Sequence, residues 1–340
     1  MALYRIKPWY KKSGGGGGTL SYYGTITALS VARGNLAATS VGNYALFAGG
    51  NTKTTVDAYD TSLTQTTPTA LSTGRSYLAS ANNGNYALFC GGQDSNSTPL
   101  NKVDAYNTSL TRTTPTTVTN SAESMAATTV GDYFLVGGGH GSSTTYYKNI
   151  DTYNSSLTKG TASNLSDTKA SAGATTIGSY ALFGGGSSTG YRSSVDAYDA
   201  SLTKTTPTAL SAARKLLKAI TVGNYALFGG GQTGSSAYSD VVDAYDTSLT
   251  RTIPTGLNTA RRELAATTIS NYGLFGGGRT SATTNFNVVD AYDTSLTRTI
   301  PTALNTARSL LAATTIGNYA LFGGGSAGGV TDVVEAYTVA

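Results

Sequence analysis

The sequence is organised around one stretch that returns seven times, best seen as LAATTIGNYALFGGG at 311–325. The tyrosine of this stretch recurs at intervals of 42, 47, 47, 45, 47 and 47 residues. Its seven copies are Tyr44, Tyr86, Tyr133, Tyr180, Tyr225, Tyr272 and Tyr319. A fixed period of this length is typical of solenoids and propellers, in which each repeat forms one supersecondary unit.

Each period predicts four short β-strands. The run LAATTI is rich in β-branched residues and ends at Gly317-Asn318, two residues that accept positive φ in a tight turn. YALF follows, then a glycine run, a variable segment and a second recurring block, VVDAYDTSLT at 241–250. A last segment such as RTIPTAL at 298–304 leads into the next copy. We therefore predict an all-β fold, a seven-bladed β-propeller with four-stranded antiparallel blades.

The repeats resemble those of the kelch propellers. The resemblance covers roughly residues 19–340 and lies in a double glycine after the second strand, a Tyr-Asp or Tyr-Asn pair in the third, and a basic residue opening each blade. Examples are Gly49-Gly50, Gly91-Gly92, Gly184-Gly185, Gly229-Gly230, Tyr59-Asp60, Tyr106-Asn107 and Tyr245-Asp246. Kelch repeats usually also carry a tryptophan, whereas the only tryptophan here is Trp9, outside the repeats. The resemblance is therefore to a kelch-like propeller, and a WD40 propeller is disfavoured for the same reason.

The order of the strands predicts how the ring closes. Six fourth strands lie between repeats, and the last repeat stops after its third strand. The segment GTITALSVAR at 24–33 aligns with TTPTALSTGR at 66–75, so an N-terminal strand is expected to complete the seventh blade. A ring closed in this way leaves no open first or last blade where sheets aggregate.

The chain divides into an arm, residues 1–18, and a propeller, residues 19–340. The arm is basic and aromatic, ends in five glycines, and predicts a tether to a larger assembly. Its expected anchor residues are Tyr4, Arg5, Lys7, Trp9, Tyr10, Lys11 and Lys12. The arm has no apolar core of a secretory signal, and no segment is apolar enough to span a bilayer. The net charge of +5 is too mild to indicate nucleic-acid binding.

The composition argues against catalysis, metals and cofactors. Some kelch-like propellers are copper oxidases, but such a site needs several histidines, and this chain has one histidine, His140, and one cysteine, Cys90. A catalytic triad would have to use His140, which lies in a glycine-rich and serine-rich loop. The glycine runs precede strands rather than helices, so they are not phosphate loops. We expect a protein that is not an enzyme, with Cys90 as a buried filler.

Two repeated charged positions each allow two interpretations. An acidic residue stands in every third strand, as in Asp57, and is expected to cap turns or pair with a base. A basic residue precedes six first strands, with Ala122 in its place in the other repeat. It is expected either to bond blade carbonyls or to form a cationic rim for an acidic side chain or a sugar acid, as the corresponding arginines of kelch domains imply. These six residues are Arg33, Arg75, Lys169, Arg214, Arg261 and Arg308.

The variable segments after the second strands form the best candidate binding face. In an up-and-down blade they lie on the same side of the ring as the entries to the first strands. They mix aromatic residues with small polar ones, a composition found in adaptable binding surfaces. Besides the six basic residues, the candidates are His140, Tyr146, Tyr147, Tyr191, Tyr238 and Phe286.

The sequence therefore indicates a non-enzymatic binding protein. The leading hypothesis is a phage virion component, of the tail or head-fibre type, that recognises a glycan or protein on the host surface and is anchored through residues 1–18. Alternatives are an intracellular kelch-type adaptor for acidic peptides and a secreted or surface-bound bacterial lectin. Assembly into a homo-oligomer remains open.

Overall fold

The computed structural model describes residues 18–340, and all regular secondary structure in this part of the chain is β-strand. The anchor residues proposed within the arm lie outside the described residues. The strands form seven four-stranded antiparallel sheets. The first strands of neighbouring sheets pack against one another in an unbroken circle. The prediction of seven blades is confirmed.

The strands are numbered along the chain. β1 is Leu20–Ile26. Blade 1 contains β2 (Ala37–Val41), β3 (Tyr44–Ala48), β4 (Val56–Asp60) and β5 (Gln65–Thr66). Blade 2 contains β6 (Ala79–Asn82), β7 (Tyr86–Cys90), β8 (Val103–Asn107) and β9 (Arg112–Thr113). Blade 3 contains β10 (Ala126–Val130), β11 (Tyr133–Gly137), β12 (Ile150–Tyr153) and β13 (Lys159–Ala162).

The remaining blades repeat this order. Blade 4 contains β14 (Gly173–Ile177), β15 (Tyr180–Gly184), β16 (Val195–Asp199) and β17 (Lys204–Thr205). Blade 5 contains β18 (Lys218–Val222), β19 (Tyr225–Gly229), β20 (Val242–Asp246) and β21 (Arg251–Thr252). Blade 6 contains β22 (Ala265–Ile269), β23 (Tyr272–Gly276), β24 (Val289–Asp293) and β25 (Arg298–Thr299). Blade 7 contains β26 (Ala312–Ile316), β27 (Tyr319–Gly323) and β28 (Val334–Val339).

The N-terminal strand closes the ring as the sequence predicts. β1 is antiparallel to β28, from Leu20 opposite Val339 to Ile26 opposite Val334, with a bulge between Tyr22 and Gly24. The Tyr22 hydroxyl donates a 2.8 Å hydrogen bond to the carboxylate of Glu335. Blade 7 thus takes its outermost strand from the other end of the propeller.

Small residues on the first strands let seven blades meet around one axis. Threonine hydroxyls then link neighbouring blades whose inner strands share no backbone ladder. Thr268 Oγ1 donates to the carbonyl of Thr221, and Thr315 Oγ1 to that of Thr268, each at 2.5 Å. The recurring threonines of the first strands therefore have two roles. They favour the β-strand conformation, and they form hydrogen bonds between neighbouring blades.

The third-strand tyrosines are buried between blades and tie each blade to the preceding one. In blade 5 the rings of Tyr245 and Phe228 pack edge to face, with 5.8 Å between their centroids. The Tyr245 hydroxyl donates a 2.7 Å hydrogen bond to the carbonyl of Thr208. Burial raises the pKa of all seven tyrosines well above the ordinary value for tyrosine. They are Tyr59, Tyr106, Tyr153, Tyr198, Tyr245, Tyr292 and Tyr337.

The acidic residue of each third strand is buried and binds the segment that leads into the first strand of its blade. In blade 6 the Asp290 carboxylate lies 2.8 Å from Arg261 Nη2 and 3.7 Å from Arg298 Nη1, and it accepts a hydrogen bond from the amide of Asn258. The expected pairing of the acidic residue with a base is confirmed. The basic residues that open the fourth strands, such as Arg298, also reach these carboxylates.

We expect the two arginines on Asp290 to contribute very differently to stability. Replacing the fully buried Arg261 with methionine should cost about 3–5 kcal/mol, because it leaves a buried carboxylate poorly compensated. Replacing Arg298 with alanine should cost less than about 1 kcal/mol, because water already screens this partly exposed side chain. Urea unfolding of both variants measures the difference, and equal costs would contradict the assignment of Arg261 to the core.

The glycine runs are structural, as the sequence predicts. Gly324 has φ +65°, and a Cβ there would lie 2.5 Å from the carbonyl oxygen of Arg33. The amide of the next residue, Gly325, donates to that carbonyl at 2.9 Å. These runs allow the loop of one blade to approach the backbone that enters the next blade. Turn aspartates such as Asp60 accept hydrogen bonds from the backbone amides two and four residues further on.

Candidate functional site

Seven backbone hydrogen bonds form a closed ring around one mouth of the central channel. In each blade the amide of one residue, two positions before the first strand, donates to the carbonyl of the equivalent residue in the preceding blade. The circle closes when Asn35 of blade 1 donates to Leu310 of blade 7 at 2.9 Å. The ring residues are Asn35, Tyr77, Ser124, Ser171, Leu216, Glu263 and Leu310. We call this set the mouth ring.

The backbone of the mouth ring is uniform although its side chains are not. All seven residues have positive φ, between 54° and 58°. Glycine adopts this conformation most readily, yet none of the seven is glycine. Residues held in this region tend to cluster at functional sites. The fold thus holds seven side chains of five types, polar, acidic, aromatic and aliphatic, around one opening.

A cavity of about 190 Å³ lies inside the mouth ring. Below the ring residues lies the next residue of each blade, of which Leu78, Met125 and Ala172 are partly exposed. A second chamber of about 200 Å³ continues along the axis and is lined mostly by alanines. The site is therefore a small opening into the channel, ringed by side chains of mixed chemistry.

Three charged side chains contact the mouth cavity. The Glu263 carboxylate forms two ion pairs. Its oxygens lie 2.5 Å from Arg279 Nε and 3.6 Å from Nε of Arg262, the preceding residue. Lys218 opens β18 and lines both chambers. The Lys218 side chain is exposed within the channel.

The variable segments surround the mouth ring on the same face, as strand parity predicts. Isolated antiparallel bridges hold these segments in place. In blade 3, His140, just after the glycine run, pairs with Glu123 before the first strand and with Tyr146 in the variable segment. The His140 ring packs against Tyr146 at 4.8 Å between centroids, and Nε2 lies 2.8 Å from the carbonyl oxygen of Ser143. All six candidates of these segments, which are His140, Tyr146, Tyr147, Tyr191, Tyr238 and Phe286, are partly exposed.

Cations lie over two of these tyrosines, on blades 4 to 6. Lys215 Nζ is 5.6 Å from the centre of the Tyr191 ring, and the Arg262 guanidinium is 5.7 Å from that of Tyr238. Each contact joins the loop of one blade to the entrance of the next. The loop face is the side of the propeller that carries the mouth ring and the variable segments, and we call Tyr191, Lys215, Tyr238 and Arg262 on it the aromatic sector. Its tyrosine rings are held in place and remain partly open to solvent.

The six basic residues expected at the rim do not form an open cationic surface. Each is at most 1% exposed and is paired with the third-strand acid of its own blade. Five of them also donate to a second-strand carbonyl, as Arg33 does to Phe47. The exposed-rim interpretation of Arg33, Arg75, Lys169, Arg214, Arg261 and Arg308 is therefore corrected, because their charges are satisfied inside the blades. In blade 3, where Ala122 replaces the base, Lys159 binds Asp151 at 3.2 Å instead.

Sequence reasoning missed the mouth ring and Lys218. The ring positions carry five residue types among the seven repeats, so no single recurring residue marks them. Lys218 did leave a signal, because aligned first strands have alanine or glycine at this position in all six other blades.

Two general properties of the described chain bear on function. Between residues 18 and 340, no helix is long and apolar enough to cross a membrane. Within the same range, no group of three or more His, Cys, Asp or Glu side chains could hold a metal ion. Cys90 is a buried free thiol, and burial raises its pKa to about 12. The prediction that Cys90 fills space in the core is confirmed.

Comparison with known proteins supports the fold and leaves the family open. No family model matches the sequence, and no curated protein matches it. Among solved structures, 813 chains match, so the architecture is a common one. One of them, described as "Structure of YjhT", aligns with a TM-score of 0.62 at 13% identity, covering 91% of this chain and 96% of that one. At this identity the likeness shows the fold alone, a β-propeller.

Proposed function

We propose that this kelch-like propeller is a non-enzymatic recognition protein that binds its ligand on the loop face, over the mouth ring and the aromatic sector. The observation that carries the proposal is the mouth ring itself. Seven blades share one backbone conformation there but present seven side chains of mixed chemistry around a cavity. A rigid scaffold that displays varied side chains is the arrangement in which binding sites are usually found.

The aromatic sector supports recognition of an exposed surface. Tyrosine offers a large contact area at low cost in conformational entropy, and it combines an apolar ring with a hydrogen-bonding hydroxyl. Tyr191 and Tyr238 are held by Lys215 and Arg262, so little order has to be gained on binding. Both glycans and proteins suit such a surface.

The biological setting that we propose is a virion, with residues 1–18 as the anchor and a host-surface glycan or protein as the ligand. The basic and aromatic composition of the arm and the low share of charged residues, 12%, support this setting. The intracellular adaptor for acidic peptides is less well supported, because the arginines that would hold the peptide are buried in ion pairs. The surface lectin shares the proposed binding face and differs only in where the protein acts.

The proposal predicts a large loss of binding when the aromatic sector is truncated. A screen of immobilised glycans and displayed peptides supplies the ligand. The double variant Tyr191→Ala, Tyr238→Ala should then bind it at least about 10-fold more weakly, the effect expected for central aromatic contacts. Calorimetry or surface plasmon resonance measures the ratio.

The matched control is Ile253→Thr, directly after the outer strand of blade 5. This exposed residue becomes the threonine found at the same place in blades 1, 2 and 4, so the surface changes away from the proposed face. The control should bind as the wild type does. Full binding by the double tyrosine variant, or loss of binding by the control alone, would contradict the proposal.

A further inference from the structure

Three tyrosines of the variable segments occupy equivalent positions on consecutive blades. In blades 2 to 7, the residue after the glycine run forms an isolated antiparallel bridge with one residue of the variable segment beyond it. That partner is a tyrosine in blades 3, 4 and 5, and we call these three residues the tyrosine arc: Tyr146, Tyr191 and Tyr238. In blades 2, 6 and 7 the partner is Pro99, Asn285 and Val330, respectively. The same bridge forms with each of these residues, so the fold does not require tyrosine at this position.

The rings of the tyrosine arc are held by their neighbours and still reach solvent. The Tyr146 ring packs against His140, and cations lie over the other two rings. All three tyrosines are partly exposed. A side chain that is already ordered before a ligand arrives loses little conformational freedom on binding.

The loops that lead to the tyrosine arc offer hydroxyl groups and no large apolar side chains. Between the bridge residue and the tyrosine they read GSSTT at 141–145, STG at 188–190 and TGSSA at 233–237. None of these residues is charged, and serine and alanine are depleted in protein–protein interfaces. A sugar fits this surface better, because its C–H face packs on an aromatic ring while its hydroxyls bond to serine and threonine.

The tyrosine arc repeats with the blades, so its ligand is expected to repeat as well. Sheets that pack face to face lie about 10 Å apart, which is roughly the length of a disaccharide. Successive rings are therefore spaced like every second sugar of a linear chain. A chain that engages several such positions at once binds more tightly than any one contact allows.

We propose that the tyrosine arc binds a linear glycan built from a repeating sugar unit, which runs across blades 3 to 5 and packs every second sugar on a tyrosine. This inference rests on the proposed function and specifies the class of its ligand. It also adds Tyr146 to the contacts made by the aromatic sector.

The test starts from a glycan array that presents linear chains of one repeating unit beside branched glycans without such a repeat. The full-length protein should bind linear chains. Calorimetry then compares the disaccharide and the hexasaccharide of the chain bound best. The hexasaccharide should bind at least about 10-fold more tightly, because it reaches all three rings. Tyr146→Ala should lower the hexasaccharide affinity at least about 10-fold and change the disaccharide affinity little, since two rings remain.

Addition of a fourth ring provides a second test that does not depend on removing a side chain. Asn285→Tyr places a tyrosine at the equivalent position of blade 6, next to the tyrosine arc, and should raise the affinity for the octasaccharide about 10-fold. The matched control is Val330→Tyr, the same change in blade 7, which blade 6 separates from the arc. This control should bind the octasaccharide as the wild type does.

Four results would each overturn the inference. They are an array on which no linear chain is bound, equal affinities for the disaccharide and the hexasaccharide, full hexasaccharide binding by Tyr146→Ala, and equal gains from Asn285→Tyr and Val330→Tyr. If the ligand is instead a displayed peptide that the double variant of Tyr191 and Tyr238 no longer binds, the inference falls and the proposed function stands. Failure of the proposed function has a different signature, which is full binding by that double variant.

Discussion

Raising the pH from about 10 to about 11 is expected to unfold the ring. In the folded protein seven tyrosines are buried and donate their hydroxyl protons to carbonyls of the preceding blade. Their pKa values lie above the unfolded value of about 10. The stability that they contribute is therefore complete below pH 10 and is lost as the pH rises beyond it. At pH 11 the loss is about 1.4 kcal/mol for each tyrosine, or about 10 kcal/mol for seven, comparable to the stability of a typical domain.

Ultraviolet absorbance of phenolate and circular dichroism, followed together against pH, measure this transition. The tyrosines in contact with water should ionise first, without loss of the native spectrum. A second, steeper rise in absorbance should then coincide with unfolding. In Tyr245→Phe the second rise should lose one tyrosine, which identifies its source. Complete ionisation of all tyrosines while the native spectrum persists would contradict the burial that we describe.

Removal of the closing strand is expected to have an effect of similar size. Deleting residues 18–30 exposes the whole edge of β28 and removes the buried Leu29 and the carbonyl of Thr27 that accepts from Tyr59. Loss of one buried leucine alone costs about 2–5 kcal/mol. We expect the melting temperature to fall by more than about 10 °C, and an exposed strand edge to promote aggregation.

Two controls make this experiment specific. Truncation of residues 1–12 should leave the melting temperature unchanged, because the closing strand is intact. A synthetic peptide of residues 18–30, added to the deletion variant, should restore part of the lost stability by pairing with β28. If both truncations melt at the same temperature, closure by the N-terminal strand does not stabilise the ring.

The repeats made most of the fold predictable. The tyrosine spacing gave the number of blades, the turn residues gave the strand ends, and alignment of residues 24–33 with the fourth strands gave the closure. These features are local or periodic, so a single sequence records them. The pairing of the third-strand acid with a base was also foreseeable, because both recur in nearly every blade.

The site was predictable only in part. The choice of face followed from strand parity, and the tyrosines of the variable segments do lie on it. The basic residues such as Arg261 were harder to place. Their spacing shows that they precede the first strand of a blade, but it does not show that the side chain is buried inside that blade. The mouth ring depends on backbone conformation and on hydrogen bonds between blades, which varied residues such as Tyr77 and Leu216 do not signal. Only Lys218 stood out, as an exception in an otherwise regular column.

The most direct test of the recognition face is the position of a ligand in a crystal structure. The ligand should be the one selected from the glycan and peptide screen, bound to the full-length protein. Our account predicts that it lies across the mouth ring and contacts Tyr191 or Tyr238. A ligand bound to the opposite face of the ring, or along the outer strands, would contradict it.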